Sequence, residues 1–83
     1  MTAQHRRMKT SYIVLGPSGQ WFGDQGYVES FVDAKRRTFL GAVQFAQEYD
    51  HARVFRIYKD PKMQCGWSFE KICKFDIATG WTK

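Results

Sequence analysis

The chain has 83 residues, 43% apolar and 17% aromatic, and a formal net charge of +5 from 13 Lys and Arg against 8 Asp and Glu. That length holds one core and excludes barrels, doubly wound sheets and other large catalytic scaffolds. The aromatic content excludes intrinsic disorder, no apolar run reaches the roughly 18–20 residues that cross a bilayer, and the positive charge admits an anionic partner.

Met1 to Thr10 is polar, basic and without periodicity, so residues 1–10 are expected to form a flexible basic arm and residues 11–83 a single domain. The arm has charge but no apolar stretch of the secretory kind, and Cys65 and Cys73 are too few to staple a secreted scaffold. A reduced, cytoplasmic protein is the expectation.

Ser11-Tyr-Ile-Val-Leu15 is dense in β-branched and aromatic residues and predicts a strand. Gly16-Pro-Ser-Gly19 predicts a turn, and Gln20-Trp-Phe22 the return strand of a hairpin. Gly23-Asp-Gln-Gly26 makes a second turn leading into Tyr27-Val28. Thr38 is a suitable N-cap for a helix from about Phe39 to Tyr49, whose apolar groups cover more than one stripe and predict extensive burial. Gly41 weakens that helix by roughly 1 kcal/mol relative to Ala, and close packing on a sheet would account for it.

Arg53-Val-Phe-Arg-Ile-Tyr58 predicts a further strand, with Phe55 and Ile57 on one face and Val54, Arg56 and Tyr58 on the other. Lys59-Asp-Pro-Lys62 is a turn. From Trp67 to Ile77 the odd positions are mostly apolar and the even ones mostly polar, which predicts a half-buried strand in unbroken alternation. The order strand, strand, helix, strand, strand gives an α+β fold: a small, mostly antiparallel sheet with one helix packed on one face. The opposite face would then carry Arg56, Tyr58, Glu70, Ile72 and Lys74, a mixed surface suited to solvent or a protein partner.

Enzyme chemistry finds little support. Gly16-Pro-Ser-Gly19 begins like a phosphate-binding loop, but Gln20-Trp-Phe-Gly23 follows where a lysine and a helix start are needed. Cys65, Cys73, His5 and His51 are spaced too widely for a structural zinc site. The histidines sit in the arm and at the helix end, away from any nucleophile, and the acids are scattered over turns and exposed helix positions. No catalytic residue, metal or cofactor is expected.

Partner binding is the better expectation. Lys35-Arg-Arg37 precedes the Thr38 cap, where cations oppose the helix dipole and so suggest an outside reason for the charge, although a solvated turn paired with Asp33 would also fit. Arg53, Arg56, Lys59 and Lys62 form a second basic stretch, and the two would make an anion-facing patch if they coalesce. Trp67 is expected in the core, Trp21 half exposed beside a turn, and Trp81 as a terminal anchor or interface residue. Lys35, Arg36, Arg37, Arg53, Arg56, Tyr58, Lys59, Trp21 and Trp81 are therefore the candidate partner-binding residues.

The series Tyr12-Ile-Val-Leu, Gly19-Gln-Trp-Phe, Gly26-Tyr-Val, Asp33-Ala-Lys-Arg, Thr38, Ala42 and Arg53-Val-Phe-Arg-Ile, over residues 11–58, resembles a pattern in short phage and prophage proteins. Members often place an aromatic just before the helix cap, where this chain has Arg37. The resemblance implies a small accessory protein that acts stoichiometrically, and anti-CRISPR inhibitors are a group of similar size and build. It transfers no functional residue. The implied partner is a host protein or nucleoprotein complex, with a CRISPR effector subunit the leading expectation and no membrane involved, and the inhibitor itself is a monomer or homodimer. The alternative is a basic module that binds nucleic acid directly.

Overall fold

A computed structural model describes residues 10–83; the expected arm, apart from Thr10, lies outside the described residues. Six strands form one sheet: β1 (Ser11–Leu15), β2 (Trp21–Phe22), β3 (Tyr27–Val28), β4 (Arg53–Lys59), β5 (Trp67–Asp76) and β6 (Gly80–Thr82). Their spatial order is β3-β2-β1-β4-β5-β6, with every neighbouring pair antiparallel. A 3-10 helix (Phe31–Asp33) and the helix α1 (Phe39–Ala46) lie between β3 and β4. The fold is α+β as expected, with the short strands β3 and β6 added at the two rims. No helix among the described residues is long and apolar enough to cross a membrane.

The sheet is built around β1 and β4, which pair from Ser11 opposite Ile57 to Leu15 opposite Arg53. β-branched and aromatic residues suit this pleated surface, and Val14 meets Val54 while Ile13 meets Phe55. The turn after β1 closes through a hydrogen bond from the Gly19 amide to the Gly16 carbonyl at 3.0 Å. Gly19 has φ +90°, a conformation that a side chain would strain.

Both faces of the sheet are covered, which corrects the expectation of a single covered face. Val14, Phe22 and Val54 pack beneath Ala42 and Ala46 of α1, joined by Tyr12, Phe45, Tyr49, Cys73 and Trp81. Ile13, Trp21 and Ile57 pack on the other side beneath Ala34 and Phe31, joined by Leu15, Phe55 and Trp67. The chain between β3 and α1 supplies this second lid. It returns along β1, where Tyr12 and Arg37 exchange backbone hydrogen bonds of 2.8 Å in each direction.

The helix is shorter and more exposed than expected. Thr38 caps it as predicted, its Oγ1 accepting from the Gly41 amide at 3.0 Å. It ends at Ala46, because the Glu48 and Tyr49 amides bond three residues back and tighten the chain into a turn. Only Ala42 and Ala46 are buried within it, while Leu40 is 63% exposed. An alanine pair at i and i+4 seats the helix on the sheet along a narrow stripe.

The alternation along β5 is also broken. Val54 pairs with Cys73, but Phe55 pairs with Lys71, so Ile72 is an extra residue in a β-bulge. Trp67, Phe69 and Lys71 therefore stand on the second face and Cys73 on the helix-bearing face, rather than all on one side. Arg56, opposite both Tyr12 and Glu70, lies on the helix-bearing face with Tyr58, and Lys74 lies on the other. Of the predicted common face, Arg56, Tyr58 and Glu70 do stand together, with Ile72 beside Phe39 and Val43, but on the helix-bearing side rather than opposite it. The bulge removes Lys74 from the set, because an added residue reverses the direction of every side chain beyond it.

Candidate functional site

The run Lys35-Arg-Arg37 does not form a patch, because an extended backbone sends successive side chains to opposite sides. Lys35 Nζ lies 3.9 Å from Asp24 in the turn between β2 and β3. Arg36 lays its guanidinium 4.5 Å above the Trp67 ring and donates from Nη2 to the Val32 carbonyl at 3.0 Å. Arg37 turns to the helix side, 3.8 Å above the Phe45 ring, where burial lowers its pKa and Asp24 and Tyr49 partly oppose that. The Nε atoms of both arginines are buried without a hydrogen-bond partner among the described residues. These arginines cover aromatic rings and serve the fold first.

The two basic stretches meet at Trp67, where Lys59 Nζ approaches the same ring to 5.8 Å. Arg56 is held elsewhere: its Nη2 donates to Glu70 Oε1 at 2.8 Å and its guanidinium lies 4.7 Å above Tyr58. The hydrogen bond that Arg56 donates to Glu70 raises the Arg56 pKa, so this cation is compensated within the chain. Tyr58 acts here as a platform for Arg56.

Trp21 is 8% exposed, which corrects its expected place as a half-exposed anchor. Its ring meets those of Phe55 at 5.0 Å and Phe69 at 5.3 Å, both edge to face, in the centre of the second cluster. Pairing of β2 between β1 and β3 turns it inward. Trp81 is half-buried on β6, its ring tilted against that of Phe75 5.1 Å away, with its indole N–H buried and without a partner among the described residues. It borders an apolar groove of about 540 Å³ with Phe39, Val43, Ile72 and Cys73. A smaller hollow of about 270 Å³ lies between Thr10, Ser11, Tyr58, Lys59 and Trp67.

A different basic corner emerges from the register. Arg53 stands directly opposite Lys74, and Lys71 stands opposite Phe55 one rung along. Phe55 and Arg53 are two apart on one strand, so all three cations share the second face. Lys71 and Lys74 are three apart and would point to opposite faces of a regular strand; the bulge at Ile72 brings them together. Cysteine and lysine spacing in the sequence carries no sign of this, and of the three only Arg53 was a predicted site residue. None of the three is in an ion pair among the described residues.

The acid nearest Lys74 along β5, Asp76, points elsewhere, and Glu70, next to Lys71, pairs with Arg56 on the opposite face. Asp76 Oδ1 accepts from the Ala78 amide at 2.9 Å and its Oδ2 lies 3.5 Å from His51 Nδ1. The other ring nitrogen, Nε2, lies 3.3 Å from Asp50 Oδ2, while Asp50 Oδ1 accepts from the Ile77 amide at 2.8 Å. The imidazole thus joins the turn between α1 and β4 to the turn between β5 and β6. The Asp50, His51 and Asp76 donors lie close enough together to surround a cation, but they are engaged on different ring nitrogens. Sequence reasoning missed this cluster because Asp76 is remote in the chain. Cys65 is exposed and Cys73 half-buried, and the two are unpaired.

Comparison of the chain with protein-family models, with curated proteins and with solved structures gives no match.

Proposed function

We propose that the chain is a small non-enzymatic inhibitor of the phage accessory kind, active in the host cytoplasm, which binds a host defence protein or nucleoprotein complex stoichiometrically and blocks docking there. A CRISPR effector is the leading target. The observation that carries the reading is the direct cross-strand pairing of Arg53 with Lys74. Like charges facing one another across a ladder destabilise a sheet, and no acid of the described residues pairs with them. Such a local conflict is expected where a surface meets a partner of opposite charge. Neither concavity described above is lined by Arg53, Lys71 or Lys74, and the larger is apolar, which suits docking better than chemistry.

The test is capture by tagged protein from nuclease-treated host lysate, beside plaque formation on a CRISPR-protected host. Wild-type protein is expected to retain one partner in stoichiometric amount and to raise plaquing. The triple variant Arg53→Ala, Lys71→Ala, Lys74→Ala is expected to lose both effects with a melting temperature equal to or above that of the wild type, since the like-charge pair is removed. Failure of the wild-type protein to change plaquing on any protected host would reject the inhibitor reading.

A further inference from the structure

We propose that the corner formed by Arg53, Lys71, Lys74 and Phe69 binds single-stranded nucleic acid, with phosphates on the three cations and a base on the Phe69 ring. The inference rests on the reading of this face as a docking surface and names what the surface holds.

Three observations support it. The first is that the bulge at Ile72 builds the corner: Lys71 keeps the register of Phe55 and Lys74 takes that of Arg53. Bulges commonly re-aim side chains at functional positions. The second is charge. Asp76, two residues beyond Lys74 on β5, turns its carboxylate to His51 and the Ala78 amide and makes no ion pair with Lys74. Arg53 and Lys74 are half-buried and Lys71 is exposed, and the register sets the three on neighbouring positions of one face of β4 and β5, where long aliphatic stems can carry charged ends out to solvent. A guanidinium and two ammonium groups offer donors suited to phosphate oxygens.

The third observation is the aromatic. Phe69 is 40% exposed, on the same face as Lys71 and two residues before it, about 7 Å along the strand. Its ring is steadied by Phe31 at 4.4 Å, Trp21 at 5.3 Å and Phe55 at 5.5 Å, so the exposed part is presented without further ordering. A fixed ring beside strand-borne cations is the arrangement on which unstacked bases lie. An acidic protein surface would use the cations but has no need of the ring, and a duplex keeps its base faces covered. Single strands satisfy both features.

The test uses the full chain and a short labelled oligothymidylate or oligouridylate in fluorescence polarisation across a salt series. Three phosphate contacts on a single strand predict a slope of about −2 in log K against log salt. The triple alanine variant is expected to flatten that slope, and the variant Arg53→Lys, Lys71→Arg, Lys74→Arg to restore it. Phe69→Leu, which keeps apolar packing, is expected to weaken binding about 5- to 150-fold, the range for loss of one stacked base. A variant with Arg6, Arg7 and Lys9 changed to Ala is expected to keep its dependence on the corner.

Equal oligonucleotide affinity in the wild-type and triple alanine proteins would overturn the inference. So would binding that vanishes with the Arg6, Arg7 and Lys9 changes alone. Should polyglutamate bind the corner while oligonucleotides do not, and the triple variant lose a protein captured from nuclease-treated lysate, the docking reading stands and the nucleic-acid inference falls. Loss of neither in the triple variant would reject both.

Discussion

The hydroxyl of Thr38 accepts a hydrogen bond from the Gly41 amide at 3.0 Å, and the same oxygen would lie 3.1 Å from a Cβ added to Gly41. The glycine therefore leaves room for the cap. The expectation that it allows close approach to the sheet is not met, since its nearest neighbours are Thr38 and Arg37. Thr38→Ala is expected to cost about 1 kcal/mol. In a domain of this size that lowers the melting temperature by about 4–8 °C, measurable by circular dichroism. Gly41→Ala is expected to gain less than its helix propensity alone would give, because the new methyl crowds the cap oxygen.

Trp21 offers a harsher test. Its ring lies in the aromatic cluster with Phe31, Phe55 and Phe69. Truncating a buried aromatic to alanine costs about 3–5 kcal/mol, and a domain this small has only about that much stability to lose. Trp21→Ala is expected to abolish the cooperative melt, whereas Trp21→Phe keeps it with a lower midpoint. A retained cooperative transition in the alanine variant would contradict the buried placement.

Burial raises the pKa of the Cys73 thiol above its ordinary value of 9.0. The folded chain thus holds this proton more tightly than the unfolded chain does. The resulting stabilisation is complete below the ordinary thiol value and is lost as pH rises through the raised one. Wild-type protein is expected to lose stability across that alkaline window, and Cys73→Ala to lose less over the same pH range. With iodoacetamide at neutral pH, Cys65 is expected to be alkylated well before Cys73, as read by mass spectrometry.

His51 adopts φ +67°, a left-handed conformation, while its two ring nitrogens face Asp50 and Asp76. That conformation costs a non-glycine residue about 1–2 kcal/mol. His51→Ala keeps the backbone cost and removes the ring. His51→Gly removes both. The glycine variant is expected to be the more stable of the two by about 1 kcal/mol in denaturant unfolding. Equal stability would place the turn's conformation outside the control of residue 51.

Arg37 separates folding from binding. Its guanidinium lies over Phe45 and is partly desolvated there. Arg37→Ala is expected to lower the melting temperature without changing the salt slope of oligonucleotide binding. The reverse is expected for Lys71→Ala, whose side chain is exposed.

Local signals in the chain were sufficient for the parts held by local physics. Thr38 marked the cap, Gly16 to Gly19 the turn, and the aromatic and branched residues of β1 and β4 their strands. The second lid was not legible: Phe31 and Ala34 lie in a stretch without strand or helix periodicity, and their burial follows from the chain doubling back along β1. The bulge was hidden for a similar reason. An odd-even pattern from Trp67 to Ile77 satisfies a regular strand, and only pairing with β4 reveals Ile72 as the extra residue. The corner of Arg53, Lys71 and Lys74 follows from that register, so it could not be found before the bulge was known. The basic run at residues 35–37 drew attention because it is contiguous, yet contiguity in an extended chain disperses side chains.

The two apolar clusters share no buried residue, because the backbone of the sheet stands between them. Substitutions drawn from opposite sides, such as Ala46 and Trp21, are then close to thermodynamically independent, whereas pairs within one side such as Phe55 and Phe69 should show coupling in double-mutant cycles. A variant weakened beneath the helix can therefore be rescued by strengthening the remote side, which leaves either surface free to diversify while the other preserves the chain's integrity.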